Sequence, residues 1–278
     1  MTGRMSHALT PYFAVVRARF GVLLQYRAAA IAGFLTQCWW GGIKVMVLTA
    51  FFVASPGAPM TLPQAIDYVW LGQALFTMLP WSGDPDVARM VRTGDVAYER
   101  LRPLDTYTLW YSRAVARRTA NPALRAIPML LAAGILIRLI GWSAYALRAP
   151  AGAEAALLFI ASIALVIGLS AAVSALIDAL VVATLSDRGV TVLVSPLVIV
   201  LSGSLVPLPL FPDWLQPILR NQPFAGLMDT PFRIYSGHIA GSAAVSALAR
   251  QAIWVVTLIG VGRLVMARVM SRLQTQGG

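Results

Sequence analysis

AALLFIASIALVIGLSAAVSAL, residues 155–176, holds no charged side chain. A helix of about 20 apolar residues crosses a hydrocarbon core about 30 Å thick, so this stretch reads as a membrane span. Five more segments read the same way: Ala28–Ala54, Ala65–Trp81, Leu124–Tyr145, Val190–Val206 and Ala243–Val265. The second and fifth of the six are short, and Pro196 lies within the fifth, a kink that neighbouring helices tolerate in a bilayer. Composition agrees. Hydrophobic residues make up 58% of the 278 and charged residues 12%, against a usual charged share of about 25%. Mean hydropathy is +0.73. So few charges cannot cover a water-facing surface. The expectation is an all-α integral membrane protein, with residues 1–278 forming one transmembrane domain.

The charges are unequal, 22 basic against 11 acidic, and Lys44 is the lone lysine. In a soluble chain such an excess suggests nucleic acid. In a membrane chain it reports orientation, since inside loops collect basic residues. With six spans and both termini inside, sixteen arginines fall on inner segments, from Arg4, Arg17, Arg19 and Arg27 through the 89–125 region to Arg188, Arg263, Arg268 and Arg272. Five fall outside or at outer span ends: Arg138, Arg148, Arg220, Arg233 and Arg250. The first apolar run, starting near residue 28, is too long for a signal-peptide core, so no cleaved leader is expected.

Several chemistries are excluded. A single cysteine, Cys38, permits neither an intrachain disulfide framework nor a cysteine zinc cluster. His7 and His238 are too few for a His-rich metal site. A phosphate-cradling loop needs G-x-x-x-x-G-K-[ST], and Lys44 follows Gly41-Gly42-Ile43 inside an apolar run instead. No catalytic triad signature is present, and the chain reads as a non-enzyme.

Four segments are not spans. Residues 8–26 include PYFAVVRARFGVLLQY, in which Tyr12, Val16, Phe20, Leu23 and Leu24 share a helical face with Arg17 and Arg19 at its margins. This suits a helix lying in the inner interface with arginines on lipid phosphates; the alternative is a basic flank that only sets topology. Residues 82–120 form the one sizeable inner loop. Within it Asp84-Pro85 starts a short helix, Val87, Met90 and Val91 give it an apolar face suited to a groove on a partner, and Gly94 ends it. Residues 177–189, with Asp178, Asp187 and Arg188, return the chain between spans. Residues 202–237, SGSLVPLPLFPDWLQPILRNQPFAGLMDTPFRIYSG, carry six prolines, too many for a spanning helix. They are also too apolar for a free loop, so short helices dipping into the outer leaflet are expected, anchored at headgroup level by Trp214 and Tyr235.

Two motifs carry a family likeness. Gly94-Asp95-Val96 followed by Leu101-Arg102-Pro103-Leu104 is similar to the coupling-loop pattern "G-x-(I/V) … L-(L)-R-P-L" of type-2 ATP-binding-cassette exporter permeases. Ser202-Gly203, Val206-Pro207-Leu208, Phe211-Pro212-x-Trp214-Leu215, Pro223-Phe224 and Pro231 through Gly237 resemble that family's outer re-entrant segment, in order. The likeness covers essentially the whole chain and is closest to small bacterial permeases that work in pairs. It implies export driven by a separate nucleotide-binding subunit, which would hold the ATP and magnesium, with no cofactor in this chain. It also implies a second permease, sibling or identical, to complete the pathway in the inner membrane. Docking to the ATPase would fall on residues 84–105: Val87, Met90, Val91, Gly94, Asp95, Glu99, Arg100, Arg102, Pro103 and Leu104.

Single residues add detail. Lys44 near mid-span costs about 2.5–3.5 kcal/mol on insertion scales, which places it on the substrate path, on the seam between permeases, or snorkelling outward through its stem. Trp39 beside Gly41 and Gly42 suits a close helix approach at that seam. The competing class, a transporter driven by an ion gradient, needs intramembrane carboxylates, and no Asp or Glu lies near the centre of an assigned span.

Overall fold

The computed structural model describes residues 2–25, 27–55 and 57–272, with side chains described except at 2–9, 27, 29 and 100. The regular elements are all helical: α1 (Thr2–Leu23), α2 (Arg27–Ala54), α3 (Leu62–Ala74), α4 (Pro85–Thr93), α5 (Thr106–Leu131), α6 (Ile137–Leu139), α7 (Ala153–Thr184), α8 (Asp187–Leu201), α9 (Gln216–Asn221), α10 (Asp229–Tyr235) and α11 (Gly241–Arg272). A π-helical turn, Ala132–Leu136, joins α5 to α6, so they run as one helix. Four helices of the described residues are long and apolar enough to cross a membrane: Ala30–Ala54, Thr106–Leu139, Ala153–Thr184 and Gly241–Arg272.

Helix α7 is the hub, packing along α11 and also against α5, α10, α4 and α8. Its buried positions are small, with Ser162, Ser170, Ala171, Ala172, Ser174, Ala175 and Ala179 all at 0% exposure, which lets backbones approach without a hydrophobic drive between helices. Helices α2 and α5 enclose α3, whose Ala65–Leu71 run is wholly buried. Helix α1 lies along α5.

The expected segments differ from these helices in four places. The stretch expected to span 65–81 is a 13-residue α-helix followed by a 3-10 turn at Phe76–Met78. A Thr61–Gln64 capping box starts it. Its end follows from Pro80, which drives Leu79 into extended backbone (φ −67°, ψ 129°). The stretch expected at 190–206 is the 15-residue α8, which ends at Leu201. Gly203 then turns at φ +83°, where a β-carbon would collide with the Tyr68 hydroxyl. Neither α3 nor α8 reaches spanning length by itself.

The third segment begins not at Leu124 but at Thr106, and its helix ends at Leu139, short of Tyr145. Residues 106–120, expected in the inner loop, are therefore helical. Asp105 caps the start, accepting from the Thr108 amide at 2.8 Å. Arg113, Arg117 and Arg118, within that expected loop, are half-buried or buried instead. Finally, the return expected at 177–189 shrinks to Leu185 (φ +53°) and Ser186, because α7 continues to Thr184 and Ser186 caps α8. Asp178 thus lies inside α7.

Candidate functional site

Between Phe76 and Asp84 the chain is mostly non-helical, and its carbonyls must find donors elsewhere. The neighbouring helices supply them. Arg118, 5% exposed, donates Nη1 to the Thr77 and Leu79 carbonyls at 3.1 and 2.9 Å, while its Nε and Nη2 reach Ser174 Oγ. Ser170 Oγ donates to the Met78 carbonyl, Ser195 Oγ to Trp81 at 2.8 Å, and Arg117 Nη1 to Gly83 at 2.9 Å. Helices α5, α7 and α8 therefore staple this passage along its length. At its end the Asp84 amide donates to Asp178 Oδ1 at 2.6 Å. A β-carbon at Gly83 would collide with that same carboxylate oxygen and stand 3.3 Å from Ile177 Cγ2.

Helix α4 leaves this staple as the sequence predicts, with Asp84 as N-cap, Pro85 in the first turn and Gly94 closing at φ +81°. Its apolar face points inward. Val87 is 1% exposed and packs with Val96, Tyr107, Leu109 and Trp110, with Met90, Val91 and Leu104 against the same cluster. Val87, offered above for a partner's groove, is spent inside the protein. The exposed apolar groups are Tyr98 at 66% and Leu101 at 78%, beside the exposed Arg102 and Pro103.

Charges fix the segment's shape. Glu99 is buried, accepts from Trp110 Nε1 at 3.2 Å, and pairs with Arg102 at 3.3 Å and Arg113 at 3.6 Å. Asp95 accepts from Thr93 Oγ1 at 2.6 Å. The side chain of Arg100 lies outside the described residues. Helix α1 clasps both ends of the segment. Arg19 bridges Asp84 at 2.8 Å and Asp86 at 2.9 Å, and the Tyr12 hydroxyl accepts from the Asp105 amide at 3.1 Å. The described part of α1 thus spends Arg19, expected on lipid phosphate, on the short helix.

At the opposite end, residues 202–237 fold into short turns. Gln216 Nε2 donates to Leu208 and Phe211 carbonyls at 2.8 and 2.9 Å. Gln222 Nε2 donates to Leu201 and Leu219 while its Oε1 accepts from Phe224 at 2.7 Å. Ser202 and Pro207 are buried; Phe211, Pro223 and Phe224 are half-buried. Pro212 is exposed, as is Trp214 at 75%, which suits an interfacial anchor. Pro231 is buried in α10, and Gly237 turns at φ +71° where a β-carbon would stand 2.7 Å from that of Ala151. Tyr235 is no headgroup anchor: it is buried, with its hydroxyl donated to the Arg148 carbonyl at 2.8 Å.

Lys44 binds this segment. Its Nζ donates to the Ser204 carbonyl at 2.7 Å, which satisfies a backbone group freed by the break after α8 and takes the place of snorkelling, one of the alternatives open to a mid-span lysine. Gly41 is also internal, because a β-carbon there would collide with Trp70. Gly42 faces open space, and Trp39 is 71% exposed.

Two further ion pairs involve buried aspartates. Asp67, buried in α3, takes the Arg148 amide, Nε and Nη2 at 2.9, 2.9 and 2.6 Å. Asp229 pairs with Arg233 at 3.1 Å and accepts from Tyr68 at 3.3 Å. Arg148 stands 81 residues from Asp67, beyond any local pattern, whereas Arg233 follows Asp229 at i,i+4, a helical spacing hidden in a stretch whose prolines argued against regular helix. Among the described residues no group of His, Cys, Asp and Glu could hold a metal ion.

Long apolar helices packed around α7 define a helical membrane protein. The chain belongs to the ABC-2 family of transporter proteins, whose sequence model matches residues 61–277. Comparison with curated proteins gave no match.

Proposed function

We propose that this chain is the permease half of an ATP-driven exporter, pairing with a second permease and with separate ATPase subunits that bind ATP and magnesium. The observation that carries the reading is the mounting of residues 84–105. A stroke delivered to this segment reaches α7 through Asp178, α5 through Glu99, and α1 through Arg19 and Tyr12. An ordinary loop has no need of four such anchors. Tyr98 and Leu101 supply the apolar contact with the ATPase, flanked by Arg102.

In this reading the arginine-rich end, with both termini, faces the cytoplasm across the inner membrane, and residues 202–237 face outward. The other two of six crossings are α3 with its 3-10 extension, roughly 25 Å long, and α8, roughly 22 Å, each carried to full thickness by the non-helical residues that follow it. An ion-gradient mechanism finds no support, since the buried carboxylates of Asp67, Asp178 and Asp229 are all held in bonds to the fold.

The test is reconstitution. The purified chain should hydrolyse no ATP, and hydrolysis should appear on adding its ATPase partner. Single cysteines at Thr93 and Asn221, in a Cys38→Ser background, should label with an impermeant maleimide from opposite sides. Turnover by the chain alone, or labelling from one side, would overturn the proposal.

A further inference from the structure

A cleft of about 570 Å³ opens between α9 and α11, lined by Asp213, Gln216, Pro217, Arg220, Asn221 and Arg250. Arg220 and Arg250 also line the smaller hollow beside it. Neither arginine has an ion-pair partner among the described residues, and Asp213 is the cleft's one acid, so its wall is net positive. The same field reaches His238. This half-buried imidazole is pushed down to about 4, first by burial and then by Arg233 and Arg220, so it stays neutral at pH 7.

A second observation is independent of charge. Gln216 is 7% exposed, and its Nε2 is committed to two backbone carbonyls, which fixes the amide's orientation. Its Oε1 is left buried with no donor among the described residues. The two Nε2 bonds hold the cleft's wall in place. The cleft thus offers two guanidiniums suited to a phosphate's paired oxygens, and beside them one open acceptor, the Asp213 carboxylate. Its flank is apolar: Trp214 and Ile218 on the same segment are 75% and 62% exposed, as befits a stretch seated at a membrane surface.

We propose that this cleft binds a phosphodiester headgroup bearing a hydrogen-bond donor, a hydroxyl or an ammonium, presented by a membrane phospholipid. Arg220 and Arg250 hold the phosphate, Asp213 takes the donor, and Trp214 and Ile218 lie against the lipid's apolar portion. The chemistry separates phosphatidylethanolamine from phosphatidylcholine, which share phosphate and net charge but differ in having N–H donors.

The experiment is native mass spectrometry of the full chain released from nanodiscs of equimolar phosphatidylethanolamine and phosphatidylcholine. The wild type should retain one phosphatidylethanolamine in preference by about fivefold, the worth of one ordinary hydrogen bond. Arg220→Gln with Arg250→Gln should cut retention of either lipid about tenfold or more, two charge-assisted bonds being lost. Asp213→Asn should keep retention and reduce the preference. Arg188→Gln with Arg268→Gln, exposed arginines at the other end, should change neither. Equal retention by wild type and the Arg220/Arg250 variant would overturn the proposal. So would displacement of the lipid by millimolar inorganic phosphate or glycerophosphoethanolamine, which would mean that the cleft takes its phosphate from water.

Discussion

Replacing Gly83 by alanine should loosen the short helix α4 without touching any exposed group. The added methyl would collide with Asp178 Oδ1, and Ile177 Cγ2 at 3.3 Å closes the other side. Ile177 and Asp178 are 2% and 1% exposed and sit in the central helix, so neither has room to withdraw. Forcing a methyl into such packing costs about 1–3 kcal/mol. If Asp178 gives way, its bond from the Asp84 amide, 2.6 Å long, is lost as well. A hydrogen bond to a charged group contributes about 1.5–3 kcal/mol. The combined loss is roughly 2.5–6 kcal/mol. Gly42→Ala is the control, since nothing lies within 4 Å of a β-carbon there. Fluorescence-detected size-exclusion melting of both variants should show a drop of several degrees for Gly83→Ala and none for Gly42→Ala. ATPase stimulation by Gly83→Ala should fall even at temperatures where it remains folded. Equal melting of the two variants would refute the close packing of Gly83 on Asp178, and with it the rigid mounting.

Gly41→Ala should destabilise the chain by about 1–3 kcal/mol in the same melting assay, because its methyl meets Trp70, which is 5% exposed and pinned by a bond to the Tyr145 carbonyl. Stability equal to that of Gly42→Ala would return Gly41 to the permease seam. Lys44→Met should insert at least as well as the wild type, since about 2.5–3.5 kcal/mol of insertion cost is removed. It should raise hydrogen exchange across 201–206, whose Ser204 carbonyl loses its donor; unchanged exchange would contradict that tether.

Much of the architecture was legible because it follows local rules. Helix α4 was readable to the residue from Asp84, Pro85 and Gly94, each acting through its own backbone. The prolines of 202–237 likewise forbade one long helix. What the sequence concealed was tertiary. Arg117 and Arg118 looked like solvated loop charges, but they are donors for a passage that Pro80 had broken, and nothing nearby in sequence announces that need. Val87 illustrates the reverse error. An apolar face on a short helix fits a partner's groove or the protein's own core equally well, and only the packing of Tyr107 and Trp110 beneath it decides. Lys44 stands out in the sequence, while its partner, a carbonyl 160 residues away, could not be read from periodicity.

The most direct test of coupling is a double variant, Tyr98→Asp with Leu101→Asp, expressed with the ATPase partner. Both side chains are exposed in the chain alone, at 66% and 78%, so its own melting temperature should not move. Burying a side chain of this size contributes about 1.5–3 kcal/mol, and two lost contacts should cut co-purified ATPase by about a hundredfold or more and abolish stimulated hydrolysis. Retention of full assembly and full ATPase rate by the double variant, at equal membrane abundance, would show that residues 84–105 are not the coupling surface.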